Sequence, residues 1–125
     1  MSFNNLEDLE VYKRAFTLSA TIWDDVSKWK NFFEKDTIGK QLVRAADSID
    51  ANIAEGYGRF HFKENKNFCY YSRGSLLETK GFIKKCKERG LMNPEKADQL
   101  LNELEQIHKM LNAYISYIGK SKQEI

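Results

Sequence analysis

One proline and seven glycines among 125 residues leave too little turn chemistry for a sandwich or barrel of many short strands. Two cysteines are too few for a disulfide framework, and a core of this size needs neither disulfide nor metal to hold it. No apolar run approaches the ~18–20 residues of a membrane span. The opening Met1-Ser2-Phe3-Asn4-Asn5 lacks the basic and then apolar segments of a secretory signal. The sequence therefore predicts a soluble, cytoplasmic chain. Large excess charge is missing too: 20 Lys+Arg stand against 18 Asp+Glu, a net +2. What is present is a 42% hydrophobic, 13% aromatic composition, enough to fill one core and incompatible with wholesale disorder.

The apolar period is helical throughout. Leu6, Leu9, Tyr12, Phe16, Ser19, Trp23 and Val26 recur at steps of three and four. Ile38, Leu42, Ala45, Ile49 and Ile53 form a second stripe, stopped by Gly56-Tyr57-Gly58. Phe68, Ser72, Ser75, Thr79, Ile83 and Cys86 mark a third stripe, ending at Gly90. Asn93-Pro94 opens the last, as N-cap and first helical residue, followed by Ala97, Leu101, Leu104, His108, Leu111, Ile115 and Ile118. Helices are expected at roughly 5–30, 37–55, 62–89 and 94–118. Their short joints imply an all-α, up-down-up-down antiparallel four-helix bundle over residues 1–119, with a frayed tail at 120–125. Cys69 and Cys86, on one helix roughly 25 Å apart, are too distant to pair and read as buried thiols. The stripes are wider than a monomer needs. Val11, Leu18, Ile22 and Trp23 flank the first, and Tyr70, Tyr71, Leu76, Leu77 and Phe82 spread around the third, which predicts self-association.

A bundle of this kind invites a di-metal reading, which requires Glu-x-x-His on two helices and a Glu from each of the others. Glu105-Gln106-Ile107-His108 is one match; His61, with Gly58 three residues before it, gives no second. No metal and no cofactor is expected. Gly56-Tyr57-Gly58 follows a helix and lacks the remaining elements of a phosphate-binding loop. No suggestive Cys/His or Ser/His/Asp set stands out, so the chain reads as a non-enzyme.

The distribution of charge says more than its sum. Residues 57–90 carry nine basic and three acidic side chains, a net +6, whereas residues 1–56 carry seven and ten. Lys63, Lys66, Arg73, Lys80, Lys84 and Lys87 fall within roughly 120° of one helix face at ~100° per residue, with Tyr70 at its edge. Such a stripe can follow a phosphate backbone; the plainer alternative is a solvated lysine face.

Several segments in order resemble a known family: Asn5-Leu-Glu-Asp-Leu-Glu-Val-Tyr12, Gln41-Leu-Val-Arg-Ala-Ala-Asp-Ser-Ile-Asp-Ala-Asn-Ile-Ala-Glu-Gly-Tyr-Gly-Arg59, Arg73-Gly-Ser-Leu-Leu-Glu78 and the helix around Leu111-Asn112. They are similar to the four-helix bundle proteins of the 23S rRNA intervening-sequence (S23 ribosomal protein) family of bacteria, to which the accessory protein of diversity-generating retroelements is related. The resemblance implies a homopentameric ring, no known catalytic activity, and an accessory scaffold that binds RNA or DNA and a protein partner such as a reverse transcriptase. The alternative is a structural or protein–protein interaction module without nucleic-acid binding. Of the shared motif residues, Arg44, Asn52, Glu55, Arg59, Arg73 and Glu78 are polar and bind a partner or bridge helices and subunits. Gly74 and Gly56 read as close-approach and capping glycines. After Glu78 the chain departs from the family: Thr79-Lys80-Gly81-Phe82-Ile83-Lys84-Lys85 makes this helix more basic, and Gly81 costs it ~1 kcal/mol relative to Ala.

Overall fold

The computed structural model describes residues 5–123. A 3-10 turn (Leu6–Asp8) leads into α1 (Glu10–Ser27). A short helix α2 (Phe32–Glu34), a π-helical turn (Lys35–Gly39) and α3 (Lys40–Tyr57) then run on as one rod, followed by α4 (Phe62–Glu88) and α5 (Pro94–Gln123). Each long helix packs on the next, and α1 also packs on α5, which closes the bundle. There is no strand among the described residues.

Helix boundaries follow local chemistry. Leu9 is buried and extended, so the chain is not yet α-helical at residue 5, and α1 begins at Glu10. The second rod begins at Phe32 rather than 37, because the Asn31 side chain accepts a 3.0 Å hydrogen bond from the Glu34 amide; Asn-x-x-Glu is a capping signature. At the top of α4 the Leu91 amide donates to Cys86 O at 2.9 Å and the Gly90 amide to Lys87 O at 3.2 Å. Gly90 has φ +71°, the left-handed C′ conformation glycine adopts without strain. Asn93 Oδ1 accepts from the Glu95 amide at 2.8 Å, with Pro94 opening the helix. α5 continues past 118 to Gln123; the rest of the expected frayed tail, residues 124 and 125, lies outside the described residues.

Ile22, Leu42, Ile49, Ile53, Leu76, Ile83, Leu104, Ile107 and Leu111 are fully buried, each worth roughly 1.5–3 kcal/mol over exposure. Where α3 meets α4 the contact is made of small and polar groups. Ser72 Oγ donates to Ile49 O at 2.7 Å, Ser75 Oγ to Ser48 Oγ at 2.9 Å, and Thr79 Oγ1 to Ser75 O at 2.7 Å, so these buried hydroxyls are satisfied. A Cβ on Gly56 would lie 2.6 Å from Asn65 Oδ1 and 2.9 Å from Asn65 O. Gly56 is therefore the close-approach glycine, buried inside α3, and not its cap. Gly74 is the reverse: a Cβ there would meet nothing within 4 Å. On the opposite side, Arg14 Nε and Nη2 donate to Glu103 at 2.9 and 2.5 Å, tying α1 to α5.

The apolar excess divides. Val11, Leu18, Ile22 and Leu76 are buried and Phe82 is half-buried, but Trp23, Tyr70, Tyr71 and Leu77 face solvent. Cys69 and Cys86 are free and buried. No helix among the described residues is long and apolar enough to cross a membrane.

Candidate nucleic-acid interface

Half of the basic stripe on α4 is held by α5. Arg73 Nη1 donates to Asn112 Oδ1 at 2.8 Å, Lys80 pairs with Glu105, and Lys87 Nζ lies 2.7 Å from Asp98 Oδ1. The three partners step by seven residues on each helix, so antiparallel α4 and α5 meet in a three-rung ladder. Its geometry is that of flanking charges in a helical pair. Arg73 also stacks its guanidinium over Tyr70, 5.1 Å from the ring centroid. Lys80 is further drawn in, its side chain only 17% exposed. Periodicity showed the shared face but not that the neighbouring helix supplies partners at the same spacing; the signal was present as Asp98, Glu105 and Asn112.

The other three cations stay outside the ladder. Lys63 and Lys84 are exposed and Lys66 is half-buried, and none of them forms an ion pair among the described residues. Lys63 and Lys66 stand at the foot of α4, beside the joint that carries Phe60. Its ring is 94% exposed, the most open large apolar side chain among the described residues, and meets His61 edge-on at 5.1 Å. Tyr70 and Tyr71, both exposed, follow on the next turns. This end of the helix interleaves cations with open aromatic rings, the pattern that stacks bases along a backbone.

Apart from Arg73, the motif residues lie along the outer α3–α4 seam. Arg59 bridges Glu55 at 2.6 Å and Glu64 at 3.7 Å and lies over the Phe68 ring at 4.9 Å, so it clasps the α3–α4 joint. Asn52 Nδ2 donates to Ser48 O at 2.8 Å and to Ser48 Oγ at 2.9 Å. Arg44 and Glu78 are exposed and line a shallow hollow with Gln41, Ser48, Ser75 and Phe82. Arg59 and Ser75 thus hold α3 to α4 and Asn52 braces Ser48 within α3, while Arg44 and Glu78 remain open to a partner.

Glu105, half of the solitary Glu-x-x-His motif, faces Lys80. Burial, with Lys80 and Arg73 nearby, lowers the pKa of His108, and no three His, Cys, Asp or Glu side chains gather among the described residues.

Fold and surface together define an all-α four-helix bundle with one strongly cationic helix. The chain belongs to the 23S rRNA-intervening sequence protein family, whose model matches residues 7–113. It is similar to the crystal structure, at 1.70 Å resolution, of a protein of unknown function from the S23 ribosomal protein family of Bacteroides thetaiotaomicron. The two share 20% sequence identity and a TM-score of 0.78, over 84% of this chain and 97% of the other. That likeness establishes the fold. No functionally curated protein matches the chain.

Proposed function

We propose that the chain is a non-enzymatic, self-associating bundle that binds RNA or DNA as an accessory scaffold, in a ring of the homopentameric kind the family resemblance implies. One observation carries the nucleic-acid reading: the foot of α4 presents Lys63 and Lys66, without an ion pair among the described residues, next to the open ring of Phe60. The site is narrower than the full stripe, because Arg73, Lys80 and Lys87 already have partners on α5. The same ladder favours the second reading, a purely structural or protein-interaction module.

Fluorescence anisotropy with a labelled single-stranded RNA and a DNA duplex, over ~50–200 mM salt, separates the two. Each neutralised phosphate adds a slope of about −0.9 on a duplex or −0.7 on a single strand in log K against log salt. Lys63→Gln with Lys66→Gln should flatten the slope by roughly one and a half units. Lys80→Gln with Lys87→Gln should act mainly on stability, by up to about 1 kcal/mol per rung. Absence of binding at ~50 mM salt leaves the structural module.

A further inference from the structure

Two faces of the protomer carry features that nothing within it explains. On α1, Phe16 and Trp23 are 55% and 61% exposed, with the small Ala20 between them. They rim a hollow completed by Ser19 and by Asp47 and Asp50 of α3. Asp50 Oδ1 is buried with no hydrogen-bond partner, and burial raises the pKa of both carboxyls, which for Asp50 the Ser19 hydroxyl and its own backbone amide only partly offset. Among the described residues no cation pairs with either.

On α4 the pattern is inverted. Gly74 and Gly81 sit inside the helix where an added Cβ would meet nothing within 4 Å, so their penalty to helix stability has no steric reason in the protomer. Between them Leu77 is 53% exposed. Beside them Arg73 is held by the neutral amide of Asn112 and the Tyr70 ring, and its charge pairs with no carboxylate among the described residues.

The end-to-end spacings match. Phe16 and Trp23 are seven residues apart, as are Gly74 and Gly81, and with α1 and α4 running in the same direction Ala20 and Leu77 lie between them within one residue of equal height. The heights match as well. Ser72 is bonded to Ile49 and Ser75 to Ser48, which sets Asp47 and Asp50 level with Arg73 and Gly74. The hollow that Asp50 shares with Phe16 sets Phe16 at that height also. Seven residues higher on parallel helices, Trp23 is level with Gly81.

We propose that the α1–α3 face of one copy docks on the outer face of α4 in the next copy, with Phe16 and Trp23 over Gly74 and Gly81, Leu77 against Ala20, and Arg73 between Asp47 and Asp50. This rests on the self-association reading and names its two surfaces. Different faces meet, so the contact is heterologous, and because matched groups lie at equal height, neighbours are related by rotation without a rise, which closes a ring and does not grow a filament.

The test uses the full chain in sedimentation equilibrium at micromolar concentration, with far-UV circular dichroism as the folding control. Wild type should sediment as a multiple of 14.6 kDa. Gly74→Leu with Gly81→Leu should keep the helical spectrum yet sediment as a single chain, and so should Phe16→Ala with Trp23→Ala. A second measurement stands apart from variant stability: the pair Trp23→Cys and Gly81→Cys, in one chain, should give a ladder of disulfide-linked chains on oxidation, and each single variant no ladder. A multimeric wild type whose glycine variants stay multimeric, with no ladder from the cysteine pair, overturns this pairing but leaves self-association standing. A monomeric wild type overturns both.

Discussion

Cys69 and Cys86 show what burial does to a single group. Packed inside the bundle, each thiol is pushed up to about 11 by desolvation of its charged form. The unfolded chain ionises its thiols near 9.0, so it holds fewer protons than the folded chain between those values. Stability is therefore full below pH 9 and falls as pH rises toward 11, by about 1.4 kcal/mol per pH unit for each thiol. Tyr114, raised chiefly by burial and partly relieved by its bond to Asn65, acts in the same direction. Urea midpoints at pH 8 and 10.5 should show the loss, and Cys69→Ala with Cys86→Ala should retain less of it, even though the cavities lower its starting stability. Thiol reagents should label the native chain only as fast as the bundle opens.

Among the elements, two helix-interior glycines have opposite roles, which their sequence context does not distinguish. Gly56→Ala drives a Cβ into the Asn65 backbone and should cost about 1–3 kcal/mol. Gly81→Ala opens onto free space and should strengthen α4 by about 0.5–1 kcal/mol. Urea denaturation of the two variants under conditions where the chain is monomeric reads the difference directly. Helix number, direction and most inward residues of α3 to α5 were legible because a single period of 3.6 runs through each stripe, down to the polar Ser72, Ser75 and Thr79. On α1 the face was misplaced, since Phe16 and Trp23 of the expected stripe face solvent and the flanking Val11, Leu18 and Ile22 turn inward. Asn93-Pro94 and Gly90 marked their helix ends because capping is local chemistry. The start of the second rod was misplaced: its signal lies in Asn31 and Glu34, but the exposed Phe32 and Phe33 hide it by breaking the apolar stripe. The π-helical turn was not legible. It arises where Gly39 is pressed against Val26 and Trp29 of the preceding segment, a tertiary contact. The cationic stripe was readable as a face, whereas its division between Asn112, Glu105 and Asp98 on one side and solvent on the other depends on how α5 lies against α4.

For the whole molecule, the charge separated along the sequence becomes charge separated in space, with Asp47 and Asp50 on one flank and the cations of α4 on another. If those flanks join copies, folding is coupled to assembly, and the melting temperature should rise with protein concentration. Differential scanning calorimetry from about 10 to 500 µM should show that rise in the wild type and a flat line for Gly74→Leu with Gly81→Leu. Within one copy, the ladder between α4 and α5 has a separate consequence. Its rungs repeat every seven residues on both helices, so sliding α5 by one repeat, about 10.5 Å, brings Arg73 opposite Glu105 and Lys80 opposite Asp98. Two rungs survive that slip, one now with a full carboxylate in place of an amide. The charges therefore do not encode a unique alignment. It is encoded by the turn at Gly90 and the Asn93 cap, whose hydrogen bonds fix how far α5 begins from the end of α4. A circular permutant cut in that turn would lose its reference mark, and its two longest helices would have a competing alignment one repeat away.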